Sequence, residues 1–227
     1  MAATVDYAEK MSSPRIEEYL EAIFKIEEKT GRPVNISRLA ENLALSVPSA
    51  SEMMKKLAQT GVIIYNEQRE VSLTETGLSQ AEQVVRRHRL AERFLTDILG
   101  LSWDQVHDEA CLFEHAISPL VEERLAQRLG EPQTCPHGHP IPGAGASTKR
   151  ELMPLAELAA GAGARVAVVT DEGAEILKYL ASLDLRLDTD VTVDEVAPFG
   201  GPITITVNGK QHAIGPELAA KILVEKK

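Results

Sequence analysis

Four side chains of the kinds that bind metal ions lie close together near the middle of the sequence. These side chains fall in a segment predicted to form one helix over residues 102–118, and they are His107, Cys111, Glu114 and His115. At 3.6 residues per turn, they share an arc of about 100° on its surface. Thiolate and imidazole bind transition-metal ions strongly, and a carboxylate neutralises part of the charge. A hydrogen-bonded polar seam between helices is the alternative, but buried polar groups need partners, and the complete set favours a metal site.

Two further groups of such residues flank this segment. His88 and Glu92 are four residues apart in a helix predicted over 76–99, so they are neighbours on one face. Downstream, Cys135, His137 and His139 resemble a compact zinc-binding sequence. A tetrahedral zinc site needs a fourth ligand, and no fourth ligand is evident nearby in the sequence. We therefore expect a structural turn at 135–139 rather than a metal site.

The first 75 residues predict a winged helix-turn-helix domain. Ser13-Pro14 starts one helix, a second covers 37–43, and a third begins after Ser46 and ends at Gly61. A hairpin of residues 62–65 and 71–73 follows. Two helices, a short turn, a third helix and a hairpin form the layout of this DNA-binding fold. A protein-interaction module built from the same elements is the alternative.

The third helix is the predicted recognition helix. Lys55 and Lys56 suit phosphate contacts, and Glu52 could accept a hydrogen bond from cytosine N4. The net charge of −10 argues against a broad surface that coats nucleic acid, so DNA contact would use a local patch. The candidate DNA-binding residues are Ser46, Pro48, Ser49, Ser51, Glu52, Lys55, Lys56 and Arg69.

The remainder of the chain predicts a helical domain followed by a small β-barrel. Three helices are predicted here: one over 76–99, one from Ser102 and one from Ser118-Pro119. They are apolar on more than one side, which would suit a dimer interface. Leu120 is expected to be buried. The strands are predicted at 166–169, 191–196, 203–207 and 211–214, the last two joined by a hairpin at Asn208-Gly209. The fold class is therefore mainly α with small β, in domains 1–75, 76–147 and 148–227.

Composition limits the compartment and the class of protein. No run of about 18 apolar residues is present, and residues 1–10 lack the apolar core of a secretion signal. Only two cysteines in 227 residues indicate a reducing compartment, so we expect a cytoplasmic protein with no membrane contact. The sequence has no nucleophile elbow, phosphate-binding glycine loop or His-Glu-x-x-His motif, so we expect no enzyme. Metal-assisted hydrolysis is a minor alternative.

Several motifs resemble one family of regulators. The sequence reads RHRLAER at 87–93, VHDEAC at 106–111, EH at 114–115 and PIPG at 140–143. In this order, these motifs resemble the diphtheria toxin repressor family of metal-dependent transcriptional regulators. The resemblance implies an N-terminal winged helix-turn-helix domain, a central helical dimerisation domain and a C-terminal SH3-like (FeoA-like) β-barrel domain.

The resemblance also implies two metal sites in each subunit. The primary site would use Cys111, Glu114 and His115, with Glu18 on the first helix where the family has methionine or aspartate. The ancillary site would use His88, Glu92 and His107, and two further ligands of the SH3-like domain, Glu172 and Glu175. Glu21 aligns with an additional carboxylate ligand of the manganese-responsive branch, and a solvated helix glutamate is an equal alternative.

The implied function is a homodimeric repressor of metal-uptake genes that binds double-stranded operator DNA when loaded with metal. The cation would link the DNA-binding domain to the dimerisation domain. The many oxygen ligands favour Mn²⁺ ahead of Fe²⁺, and Co²⁺, Ni²⁺ or Zn²⁺ should substitute in vitro. The position usually held by a base-contacting glutamine is Glu52 here. No organic cofactor is expected, although a dimeric winged-helix regulator that responds to an organic ligand is an alternative.

Overall fold

The structure is a computed structural model that describes residues 13–31, 33–145 and 151–227. The chain forms two compact units, Met1–Arg86 and Arg87–Lys227. The predicted fold class is confirmed: a helical DNA-binding domain comes first, a helical domain follows, and a β-sheet domain ends the chain. Each unit is described separately below.

The first unit consists of three helices and a small sheet. Its elements are α1 (Pro14–Thr30), β1 (Val34–Asn35), α2 (Ile36–Asn42), α3 (Val47–Gln59), β2 (Ile63–Tyr65) and β3 (Glu70–Leu73). Local signals define the helix ends, because Gly31 adopts a left-handed conformation after α1 and the Ser46 side chain accepts a hydrogen bond from the Ser49 backbone N–H. The sheet is antiparallel in the order β1-β3-β2, and β1 was not predicted.

The apolar faces of these helices meet in a single core. Leu20 and Ile23 of α1, Leu39 of α2 and Met54 of α3 are fully buried in it, together with Val71 of the sheet. Their helical spacing is what predicted the elements. The exposed side of α3 is therefore fixed by the burial of its opposite side.

The second unit begins with the helical segment that carries the predicted metal ligands. Its elements are α4 (Glu75–Asp97, which starts in the first unit), α5 (Val106–Phe113), a 3₁₀ turn (Glu114–Ala116) and α6 (Pro119–Arg128). The predicted single helix over 102–118 is thus wrong at both ends. Ser102 does bond to the Gln105 side chain, but regular α-helix begins only at Val106. Leu120 is 62% exposed rather than buried.

The C-terminal part consists of one antiparallel sheet and two short helices. Its elements are β4 (Leu152–Pro154), a 3₁₀ turn (Leu155–Glu157), β5 (Gly163–Val169), α7 (Ala174–Ser182), β6 (Asp190–Val196), β7 (Ile203–Val207), β8 (Lys210–Ile214), α8 (Pro216–Ala219) and β9 (Ile222–Lys226). The strand order is β4-β9-β5-β6-β7-β8. The predicted hairpin at Asn208-Gly209 is present, with positive φ angles of 49° and 76°. Sequence patterns missed β4, β9, α7 and α8.

Residues 135–139 form a tight turn that packs against β5. The Cys135 N–H donates to the His139 carbonyl at 2.9 Å, and the Val169 N–H donates to the His137 carbonyl at 3.0 Å. Gly138 has a φ of +92°, and a Cβ at this position would lie 2.1 Å from the Ala167 carbonyl oxygen. Only glycine allows this close approach, so the turn is fixed against the strand.

Candidate metal centre

His88 lies at the middle of a buried cluster of metal-binding side chains. Its Nδ1 is 2.5 Å from Glu114 Oε2, and its Nε2 is 3.2 Å from Glu92 Oε1. All three side chains are at most 1% exposed. The spacing of four residues in α4 places His88 beside Glu92, and the 3₁₀ turn after α5 directs Glu114 inward. One imidazole therefore connects the carboxylates of the two predicted sites.

The predicted ancillary ligands are largely brought together. His107 Nδ1 lies 3.5 Å from Glu92 Oε1 and 3.1 Å from Glu172 Oε2, which follows β5. Ligand atoms of His88, Glu92, His107 and Glu172 all lie within 4.8 Å of one another. Glu175 does not join them: its side chain is 90% exposed and its carboxylate pairs with Lys178 at 3.1 Å.

The predicted primary ligands form two contacts on the other side of His88. His115 Nε2 lies 3.4 Å from Glu114 Oε1. Cys111 Sγ lies 3.9 Å from His107 Nε2, and ligand atoms of His88, His107 and Cys111 fall within 4.8 Å of one another. The thiol of the predicted primary site is therefore adjacent to two imidazoles of the predicted ancillary site.

Sequence reasoning missed two members of the cluster, Cys135 and His137. Both are fully buried, and their ligand atoms lie within 4.8 Å of each other and of a Glu92 carboxylate oxygen. His137 Nδ1 is 3.4 Å from Glu92 Oε1, and His139 Nε2 is 3.4 Å from Glu172 Oε1. The expected turn is present, but the acidic partner comes from α4 rather than from nearby sequence. The combination of a cysteine and two histidines in five residues was the available signal.

The charges of the cluster shift its pKa values. Burial opposes ionisation of Glu92, yet the positive charge of His88 and interactions with two further imidazoles hold the pKa of Glu92 well below its usual value. Burial alone would lower the pKa of His107, but interactions with Cys111 and two carboxylates raise this pKa to about 11. Burial and two nearby carboxylates raise the pKa of the Cys135 thiol. Without a bound cation, these interactions therefore favour an ionised Glu92 and a protonated His107 ring.

Three buried polar atoms test whether the residues fit a metal ion. Among the described residues, Glu92 Oε2, His107 Nδ1 and His137 Nδ1 form no hydrogen bond. His137 Nε2 donates to the Trp103 carbonyl at 2.8 Å, so in the neutral ring Nδ1 carries the lone pair. Metal-bound histidines usually donate their second ring N–H in this way. Imidazole, carboxylate and thiolate donors suit a divalent transition-metal ion, and the residues fit one.

The two glutamates predicted on α1 differ in exposure. Glu18 is exposed. Glu21 is 7% exposed, and its carboxylate lies 2.7 Å from Lys25 Nζ, one turn further along the helix.

The predicted DNA-binding residues lie on the surface around α3 and the hairpin. Glu52 pairs with Lys56 at 2.8 Å, and both side chains are largely exposed. The Ser51 hydroxyl bonds to the Tyr65 hydroxyl at 2.9 Å, which connects α3 to β2. The others on the helix and in the turn between β2 and β3 are also exposed: Ser46, Pro48, Ser49, Lys55 and Arg69. Within the described residues, no helix is long and apolar enough to cross a membrane.

Three family models match successive parts of the chain. Residues 11–71 match the description "Iron dependent repressor, N-terminal DNA binding domain". Residues 74–143 match "Iron dependent repressor, metal binding and dimerisation domain", and residues 153–226 match "FeoA domain". The three descriptions agree with the winged-helix, helical and β-sheet parts of the structure.

Curated relatives resemble the chain over nearly its whole length. It is 38% identical over 226 residues to the "Iron-dependent repressor IdeR" of Mycobacterium tuberculosis, covering 92% of this chain and 96% of the relative. It is 34% identical over 224 residues to the "Diphtheria toxin repressor" of Corynebacterium diphtheriae, with the same shares covered.

Solved structures are similar as well. One described as "Manganese-dependent transcriptional repressor complex with manganese" has a TM-score of 0.87 and 35% identity, covering 93% of this chain and all of that one. Another, "Crystal Structure of ScaR with bound Zn2+", has a TM-score of 0.79 and 29% identity, covering 93% of this chain and 99% of that one. These homologues and structural neighbours are metal-dependent transcriptional repressors.

Proposed function

This chain belongs to the family of iron-dependent repressors, and on that premise we propose that it is a homodimer that binds operator DNA when loaded with a divalent cation and represses metal-uptake genes. The observation that carries the proposal is the buried cluster around His88, whose imidazoles face the carboxylates of Glu92 and Glu114. Carboxylates, imidazoles and thiols packed together in a largely buried cluster are suited to hold a cation.

The proposed primary site uses Cys111, Glu114 and His115, with Glu18 as the ligand supplied by α1. The proposed second site uses His88, Glu92, His107 and Glu172. Mn²⁺ is the proposed effector and Fe²⁺ the next candidate, because oxygen and nitrogen donors outnumber sulfur in both sets. A bound cation would supply the positive charge that offsets the clustered carboxylates.

Each residue of the cluster has a definable part in this function. His88 orients Glu114 through the contact at 2.5 Å, and Glu92 orients His88 from the other ring nitrogen. If metal increases the affinity for operator DNA by some factor, thermodynamic linkage requires that DNA increase the affinity for metal by the same factor. A coupling of about 1–3 kcal/mol, which is typical, corresponds to a change of about 5–150-fold in operator affinity.

Operator binding with and without metal tests the proposal. A fragment chosen from genomic DNA by repeated binding to metal-loaded protein serves as the operator, and fluorescence anisotropy gives the affinity. We expect tight binding with Mn²⁺ and weak binding with a chelator. Equal affinity under both conditions would contradict the proposal. Failure of the purified chain to take up stoichiometric metal would instead favour a regulator that responds to an organic ligand.

Replacing Lys55 with alanine is expected to weaken DNA binding uniformly across sequences. Lys55 is exposed on α3 and is placed to contact phosphate. A plot of log affinity against log salt concentration has a negative slope. Loss of one phosphate contact in each subunit makes this slope shallower by about 2 per dimer. Binding measured at several salt concentrations checks this. The control Lys178→Ala, on α7, should leave the slope unchanged, and an unaltered slope in Lys55→Ala would remove Lys55 from the interface.

Metal loading is expected to release protons. The pKa of His107 is raised to about 11, so its ring is protonated at neutral pH in the metal-free protein. A ring that binds metal must be neutral, so uptake of the cation displaces this proton, and metal affinity falls as the pH is lowered. Calorimetry in two buffers of different ionisation enthalpy measures the number released. His107→Gln should release about one proton fewer; identical heats in both buffers would contradict the prediction.

A further inference from the structure

We propose that Glu52 and Lys56 of α3 together read one C·G base pair in each half-site of the operator. The Glu52 carboxylate would accept a hydrogen bond from cytosine N4. The Lys56 ammonium would donate to O6 and N7 of the paired guanine rather than to a phosphate. The inference rests on the proposed function in taking the partner to be operator DNA, and it adds a base pair that the protein selects.

The first argument is the place of Glu52 on α3. Ala50, Met54 and Leu57 are at most 2% exposed and define the buried side of the helix. At about 100° per residue, Glu52 lies almost directly opposite that side, and its side chain is 70% exposed. Packing of the core fixes the rotation of α3, so Glu52 stays on the outward side, where a recognition helix meets the major groove.

The second argument is the match between this ion pair and a base pair. Long side chains on a helix lean towards its N-terminus, and Lys56 Nζ accordingly lies 2.8 Å from Glu52 Oε1, one turn earlier. In a C·G pair, cytosine N4 and guanine O6 share a hydrogen bond of about 2.9 Å, and both atoms are exposed in the major groove. The carboxylate and the ammonium therefore have the spacing to meet the N4 donor and the O6 acceptor of a single pair.

The third argument is that the other base pairs fit this acceptor and donor less well. An A·T pair also presents a donor beside an acceptor, but adenine N7 would repel the carboxylate and the thymine methyl group would obstruct the ammonium. The reversed G·C pair would place the carboxylate against the O6 and N7 acceptors of guanine. Only the C·G pair offers a donor to Glu52 and two acceptors to Lys56.

The fourth argument is the charge around Glu52. An isolated carboxylate would be repelled by the phosphates that line the groove. The hydrogen bond from Lys56 and the positive charges of Lys56, Arg15 and Lys55 hold the pKa of Glu52 below its usual value. The carboxylate is therefore ionised at neutral pH, so it accepts hydrogen bonds and donates none. The same three cations offset its charge as DNA approaches.

The base preferences of the full-length protein and its variants test the inference. Sites are selected from random double-stranded DNA in the presence of Mn²⁺, and the relative affinity for each base pair is measured at every position. We expect one position in each half-site at which C·G is preferred by about 5–150-fold. Glu52→Ala should remove the preference at this position alone. Glu52→Gln should transfer it to A·T, because an amide pairs with adenine N6 and N7.

Two lysine variants separate base reading from general attraction to DNA. Lys56→Ala should weaken the preference at the same position, because the contact with guanine is lost. Lys55→Ala should lower the affinity for all sequences by the same factor, since a phosphate contact carries no sequence information. Circular dichroism of each variant establishes that it is folded. Base preferences that remain those of the wild type in either Glu52→Ala or Lys56→Ala would overturn the inference.

These outcomes separate the inference from the proposed function. A base preference is a ratio of two affinities, whereas the proposed function is tested by the change in affinity on adding metal. DNA binding that requires Mn²⁺, with base preferences unchanged in Glu52→Ala, would contradict the inference alone. The expected preferences in a protein that binds DNA equally well with a chelator would contradict the proposed function alone. A chain that binds no DNA under either condition would contradict both.

Discussion

Replacing Glu114 with alanine is expected to abolish the effect of metal on operator binding. The Glu114 side chain is 1% exposed and lies 2.5 Å from His88 and 3.4 Å from His115. Its removal takes a carboxylate out of the proposed primary site, so a cation is no longer retained there. The expected gain in affinity of about 5–150-fold on adding Mn²⁺ should therefore fall to none. Fluorescence anisotropy with a labelled operator measures it.

Matched variants distinguish this loss from a general disturbance. Glu123→Ala removes an exposed glutamate of α6 and should respond to Mn²⁺ like the wild type. Glu114→Gln keeps an oxygen donor without the charge and should show a partial response. If Glu114→Ala were activated by Mn²⁺ as strongly as the wild type, Glu114 would not be a ligand that matters to the switch.

Gly138→Ala is expected to destabilise the protein and to disturb the second site together. The new Cβ would lie 2.1 Å from the Ala167 carbonyl oxygen, and the φ of +92° disfavours any side chain. Overpacking and the left-handed backbone together should lower the free energy of unfolding by about 3 kcal/mol. In a chain of this size, that corresponds to a decrease in Tm of about 6–12 °C, measurable by thermal unfolding of the metal-free protein.

A second glycine provides the control for this variant. Gly130 also has a positive φ, of 75°, but a Cβ there would have no atom within 4 Å. Gly130→Ala should therefore show only the backbone effect, about 1 kcal/mol. Because His137 and His139 of this turn contact Glu92 and Glu172 of the proposed second site, Gly138→Ala should also bind less metal, while Gly130→Ala should not. Equal losses of stability in the two variants would show that the contact with β5 is unimportant.

The parts of the molecule that local sequence determines were predicted well. Ser46 and Pro48 define the start of α3, and Asn208-Gly209 defines the last hairpin, because caps and tight turns depend on adjacent residues. The pairing of His88 with Glu92 follows from helical spacing alone. The family resemblance likewise rests on short motifs that can be read in order along the chain.

Predictions failed where distant segments override local pattern. The helix over 102–118 was expected from continuous spacing, but it is interrupted, and its last residues form the 3₁₀ turn that directs Glu114 toward His88. Glu175 follows Glu172 by three residues, yet only Glu172 faces the cluster while Glu175 pairs with Lys178. Spacing along the chain does not determine which of two nearby side chains faces the cluster.

The sequence by itself determined the residue types, the helical pairs and the order of the three domains, since these depend on contacts over a few residues. Only the tertiary structure decided that Cys135 and His137 lie beside Glu92. That approach depends on Gly138, which lets the turn pack directly on β5, and on the hydrogen bond from Val169 that holds it there. Contacts between segments so far apart in sequence arise from packing of whole elements, which no local spacing encodes.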